Sequence, residues 1–174
     1  LLHNSYVHKS YNTFLGHNPQ KIICKKFSKD FNKNKVAVLT GAAKKIGRST
    51  AIKLAEQGFN ILIHTGGKSI EEAKATIKLL EKFKIKSNYV TGDLANLETI
   101  NIIKDAALKL GMPSVLVNNA GLRIHEHFEK IDYKDWKKVM TVNVDASFLC
   151  AQALINYMVK QKWGRVINIG GLSA

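Results

Sequence analysis

The sequence predicts an α/β fold in which helices cover both faces of a doubly wound parallel sheet. Five short apolar runs, at residues 36–40, 60–64, 87–91, 114–118 and 165–169, alternate with helical patterns at 48–57, 70–83, 97–110 and 133–162. Strands joined by helix-length connections need crossovers, so they lie parallel and buried on both sides. Glycines punctuate the pattern: Gly58, Gly111 and Gly164 sit just past helical segments, where a left-handed residue ends a helix. Pro113 blocks continuation of the third helix. Right-handed crossovers leave few arrangements, and the three-layer αβα sheet is the best of them. The sequence stops after the fifth run, so the expected sheet is truncated there.

The first strand, Val36-Ala37-Val38-Leu39, leads into Thr40-Gly41-Ala42-Ala43-Lys44-Lys45-Ile46-Gly47. A buried strand, a tight turn and a helix beginning near Gly47 would aim free N–H groups and a helix dipole at one point, which suits a phosphate diester. Gly41 is expected to allow the sharp turn, and Gly47 to let the backbone approach a pyrophosphate. A plain strand-to-helix turn reads the same way on its own.

Ligands of such a sheet bind beyond the carboxyl ends of its strands, so contacts should follow each apolar run. After the second comes His64-Thr65-Gly66-Gly67-Lys68-Ser69, with no acid to accept from a ribose 2′-hydroxyl. Thr65 stands where that acid would be, and Lys44, Lys45, His64, Lys68 and Ser69 offer cations and donors to a 2′-phosphate. The pattern points to NADP(H) over NAD; the alternative is ordinary solvent-facing lysines. After the third run, Asp93 of Gly92-Asp93-Leu94 is placed to accept from an adenine amino group, to cap the next helix, or both. After the fourth, Asn118-Asn119-Ala120-Gly121 is a small, polar exit that either lets a dinucleotide lie across the sheet or ties neighbouring backbones together.

Composition narrows the partners. The chain has 174 residues and a net charge of +14. Residues 1–35 carry seven lysines against Asp30 alone, and the other lysines mostly share helical faces with acids, as at Glu71, Glu72, Lys74 and Lys78. No basic-aromatic module accompanies the charge, so no specific nucleic-acid partner is expected. Residues 1–34 lack periodicity and read as a basic, disordered extension ahead of a domain at 35–174. That extension has no arginine, and its organelle-import reading stands beside a cytoplasmic one. Cys24 and Cys150 form no metal or disulfide spacing, which fits a reducing compartment. No metal site is expected; His125, Glu126 and His127 read as a polar loop. No run appears apolar enough for a membrane span, so no membrane partner is expected.

These pieces, in this order, resemble the short-chain dehydrogenase/reductase family, a Rossmann-type fold. The resemblance covers residues 35–174 and rests on Thr40-Gly41-x3-Lys45-x-Gly47, Gly92-Asp93-Leu94, Asn118-Asn119-Ala120-Gly121, Val142-Asn143-Val144 and Gly164-Arg165-Val166-Ile167-Asn168-Ile169. The glycine turn looks most like the pteridine reductase branch, in which a basic residue replaces the middle glycine and the cofactor is NADPH. Bacterial 3-oxoacyl carrier-protein reductases share the rest of the pattern. The resemblance implies reversible hydride transfer between nicotinamide and a carbonyl or imine, with a tyrosine acid, a lysine that lowers its pKa, a serine on the substrate oxygen and an asparagine anchoring a relay water. It puts the asparagine at Asn143, which otherwise reads as a residue bracing its helix.

Where the family has its serine this sequence has Gly171, after Gly170; Ser173 substitutes only if the loop is reshaped. The family's Tyr-x3-Lys pair falls beyond Ala174, so no residue is assigned to it. As expected from the resemblance, the chain is the cofactor-binding part, incomplete at its C-terminus, of an NADP(H)-dependent oxidoreductase. It acts on a small carbonyl substrate and forms a homodimer or homotetramer through the helix at 133–162. The alternative is a dinucleotide-binding module or fragment without catalysis.

Overall fold

The computed structural model describes residues 29–171. The elements are α1 (Lys29–Asn32), β1 (Lys35–Leu39), α2 (Lys45–Glu56), β2 (Asn60–Thr65), α3 (Ile70–Leu80) and β3 (Ser87–Thr91). They continue with α4 (Leu97–Leu110), β4 (Met112–Asn118), α5 (Tyr133–Met140), α6 (Ala146–Lys160) and β5 (Arg165–Asn168). The sheet has the order β3-β2-β1-β4-β5, and every pair is parallel.

Alternation along β1 builds the three layers. Ala37 and Leu39 face one side, in a core with Ala51 and Ala55 of α2, Ala73 and Leu80 of α3, and Ile61 and Ile63 of β2. Val36 and Val38 face the other, with Ile100, Ile103 and Ala107 of α4 and Ala146, Cys150, Leu154 and Met158 of α6. Burial on both faces explains why these strands are continuous apolar runs. β1 pairs with β2 on one side and β4 on the other, so the winding reverses between β1 and β4 and leaves a crevice above their carboxyl ends.

The doubly wound parallel sheet is as the sequence predicts, with several local corrections. α2 begins at Lys45, ahead of the expected 48. β4 begins at Met112 and holds Pro113 within it, where the pairing with β1 shifts register and the missing N–H is tolerated. Gly164 is not left-handed; Lys162 takes that conformation, with φ 55°. A Cβ on Gly164 would lie 2.5 Å from the Met158 side chain, so close packing accounts for the glycine. The helix expected at 133–162 is interrupted by a π-turn at Thr141–Asp145. Ahead of residue 35, α1 packs onto the domain. Asn32 is buried and donates to the Gln57 carbonyl at 2.8 Å. The Phe31 ring meets Trp163 edge-on at 5.7 Å, and Lys35 lies over both rings.

The segment Tyr133–Lys160 is long and apolar enough to cross a membrane by length and composition, contrary to the sequence expectation. Its Ala146, Cys150, Leu154 and Met158 instead form part of the core against the sheet. Burial pushes the Cys150 thiol up to about 11, so it is an inert packing group. Cys24 lies outside the described residues.

Candidate functional site

The carboxyl ends of β1 to β4 open onto a groove of about 750 Å³. One wall is the glycine turn and the start of α2. Lys44 holds the N-cap position in extended backbone, no side chain caps the helix, and its first turn holds no acid. The first-turn amides and the positive end of the dipole are therefore left without a side-chain acceptor, the arrangement an anion fills. Lys45 follows at φ 51°, left-handed for a non-glycine residue, which costs about 1–2 kcal/mol. Lys45 and the 62 % exposed Ile46 line the groove.

Both glycines serve packing as well as the turn. Gly41, at φ 60°, sits where a Cβ would lie 2.7 Å from the Ala120 Cα. A Cβ on Gly47 would lie 2.5 Å from the Ala42 Cα and 2.9 Å from the Asn119 amide nitrogen. Gly47 was expected to leave room for a pyrophosphate; its missing Cβ first makes room for the turn itself.

Several expected contacts hold the turn together, and of these only Asn119 also lines the groove. Thr40 is buried, and its hydroxyl accepts from the Asn119 and Ala120 amides at 3.1 Å each. Asn119 donates its side-chain amide to the Thr40 and Gly41 carbonyls at 3.0 and 2.9 Å. Ala43 lies in the core, with its carbonyl taken by Arg48 and by the Thr76 hydroxyl. Arg48, which the sequence reading did not single out, bonds Ala43 O, Thr76 Oγ1 and Glu72 O, and so ties the glycine turn to α3. Asn118 is buried and donates to Asn168 Oδ1 at 2.8 Å, tying β4 to β5. The alternative of asparagines bracing adjacent backbones describes both Asn118 and Asn119.

At the end of β2 no acid is present, and Gly66, Gly67, Lys68 and Ser69 form the rim. Lys45 and Lys68 make no ion pair or hydrogen bond among the described residues, whereas Lys44 pairs with Glu72 at 3.0 Å. Thr65 is buried, with its hydroxyl on the Gly66 carbonyl. His64 is no cation here. It is 3 % exposed, its Nε2 is 3.0 Å from the Gly92 carbonyl, and Nδ1 has no partner among the described residues. Burial lowers its pKa from the ordinary 6.5, against smaller opposing effects of the Gly92 bond and Asp93.

The folded state therefore resists taking up a proton that the unfolded chain accepts near 6.5. Stability from neutral His64 is complete above that value and is lost as pH falls below it. Melting temperature measured between about pH 5 and 7.5 should decline on the acid side, and His64→Asn, which keeps a donor for Gly92, should flatten that decline.

Beyond β3, the Asp93 carboxylate accepts from the Ala95 amide at 3.0 Å. It is not the cap of α4; Asn96 is, accepting from the Glu98 amide at 2.9 Å. Asp93 is exposed at the groove and Leu94 is buried beneath it. Beyond β4, Ala120 and Gly121 line the groove together with Leu122, Lys138 and Val142, three residues that the sequence reading did not assign as contacts. Lys138 and Val142 lie one helical turn apart, the spacing that would have paired them.

Asn143 sits in the π-turn, a feature common at functional sites. Its side chain clamps one backbone unit, accepting from Leu122 N at 2.7 Å and donating to Leu122 O at 2.9 Å. It is exposed, not buried in the apolar stripe. A second cavity of about 720 Å³ lies beside it, lined by Asn143, Ser147, Phe148, Asn168, Gly170 and Gly171 among others. Ser173 lies outside the described residues. Among the described residues no three His, Cys, Asp or Glu side chains converge for a metal.

This parallel sheet, with an uncapped helix start beside its winding switch, is a Rossmann-type α/β fold, and the comparisons say which family has it here. The family profile described as short chain dehydrogenase matches residues 35–174, and the chain belongs to that family. The 3-oxoacyl-[acyl-carrier-protein] reductase FabG of Staphylococcus epidermidis is 35 % identical over 142 residues, covering 78 % of this chain and 56 % of that protein. Among solved structures, acetoin dehydrogenase YohF from Salmonella typhimurium aligns with a TM-score of 0.74 at 36 % identity, over 79 % of this chain and 55 % of that one. A metagenomic short-chain oxidoreductase in complex with NADP aligns with a TM-score of 0.73 at 27 % identity, over 82 % and 64 %. The chain thus spans about half the length of the curated relatives it matches.

Proposed function

We propose that the protein is an NADP(H)-dependent oxidoreductase that exchanges hydride between nicotinamide and a carbonyl or imine substrate. The observation that carries the coenzyme preference is the rim of the groove: no acid ends β2, while Lys45, Lys68 and the Ser69 hydroxyl stand there without partners among the described residues. A carboxylate there would repel a 2′-phosphate; these groups attract one. The family membership and the NADP complex of a related structure support the same reading.

In this proposal the uncapped start of α2 holds the pyrophosphate, and Asp93 accepts from the adenine amino group. Asn143 fixes the Leu122 backbone beside the second cavity and so separates coenzyme from substrate space. When bound, the nicotinamide supplies or accepts the hydride. The substrate would enter beside Phe148 and Asn168, and the exposed Phe148, Ile155 and Val159 of α6 support a homodimer or homotetramer through that helix.

Titration of the full-length protein with NADPH and NADH tests the reading, with NADPH expected to bind more tightly. Lys45→Gly combined with Lys68→Ala keeps the left-handed backbone while removing both charges. It should weaken NADPH about tenfold or more and leave NADH within about threefold. Equal affinity for the two coenzymes in the unaltered protein would refute the preference.

A further inference from the structure

Lys44, Lys45 and Lys68 line the groove beside the glycine turn and the end of β2, and Lys44 is already engaged. Lys44 Nζ lies 3.0 Å from Glu72 Oε1, across a gap from the glycine turn to the first turn of α3. Ser69-Ile70-Glu71-Glu72 has the sequence of a capping box, in which the serine would bond the Glu72 amide and the glutamate would reach back to the serine amide. Neither arm is made. Ser69 makes no side-chain cap bond, and its amide donates to the Gly66 carbonyl at 3.2 Å. The Glu72 carboxylate turns instead to Lys44, whose hydrogen bond holds its pKa below the ordinary value. Arg48 bonds the Glu72 carbonyl at 3.2 Å and so fixes the residue's backbone beside the turn.

We propose that Glu72 is a specificity-determining residue: a resident anion that competes with the 2′-phosphate for Lys44 and so limits the preference for NADPH over NADH. The proposal rests on the coenzyme reading above. NADPH binding must draw Lys44 away from Glu72, whereas NADH leaves the pair intact. The pair is half-exposed, so its competition is modest, about threefold to fivefold in affinity.

The test compares Kd values for both coenzymes on the full-length protein, its Glu72→Gln and Lys44→Gln variants and their combination. Glu72→Gln should tighten NADPH about threefold to fivefold and leave NADH unchanged. In the Lys44→Gln background the same change should have no effect. Glu71→Gln, removing the neighbouring acid that pairs with Lys74, should leave the NADPH-to-NADH ratio unaltered. The proposal is overturned if Glu72→Gln weakens NADPH or leaves it unchanged, if NADH tightens equally, or if Glu71→Gln does the same. Full-length wild type that takes up neither coenzyme would overturn the coenzyme reading itself, and with it this proposal.

Discussion

Gly47→Val should leave a protein that binds neither NADPH nor NADH measurably. The Cβ would lie 2.5 Å from the Ala42 Cα and 2.9 Å from its Cβ, where the first is backbone that no rotamer change can move. Its third neighbour, the Asn119 amide nitrogen at 2.9 Å, holds the Thr40 and Gly41 carbonyls. Accommodating valine therefore pushes α2 away from the turn whose amides would meet the phosphates. Overpacking of this kind costs about 1–3 kcal/mol of stability. Each amide drawn off a phosphate oxygen forfeits a hydrogen bond to a charged group, worth about 1.5–3 kcal/mol. Calorimetric titration and thermal melting of the full-length variant measure the two effects separately. A variant that melts lower yet keeps wild-type coenzyme affinity would contradict the role assigned to the turn.

Arg48→Met should cost stability first and affinity second. The guanidinium is the common partner of Ala43 O, Thr76 Oγ1 and Glu72 O, at distances between 2.7 and 3.3 Å. Methionine fills similar volume and satisfies none of them, though Thr76 retains its own bond to Ala43. Loss of a charged donor from partly buried acceptors costs about 2–3 kcal/mol. That corresponds to a fall in melting temperature of about 5–10 °C for a domain of this size. Lysine should rescue only part of the loss, since it cannot reproduce the guanidinium fork. If Arg48→Lys restores the full melting temperature, charge alone suffices and the bridging geometry is unimportant.

Layering was legible because burial on both faces writes itself as unbroken apolar runs. All five strands lie within two residues of the ranges read from the sequence. The switch-point crevice followed from topology, and Gly41, Lys45, Lys68 and Asp93 do line it. What was not legible was which way polar residues turn. Thr40 follows β1 and Asn118 ends β4; both are buried, and their side chains satisfy backbone and strand partners instead of the groove. His64 read as a cation because composition carries no information about burial. The Lys44–Glu72 pair joins positions 28 apart, outside any helical spacing. The π-turn at Thr141–Asp145 leaves no mark on hydrophobic periodicity, and so the helix through it looked continuous.

The aromatic contact of Phe31 with Trp163, and the Asn32 bond to Gln57, moor α1 at the amino pole of the sheet. β1 alone spans about 16 Å from that pole to the groove. The described part of the chain therefore begins at the pole of the sheet opposite the groove.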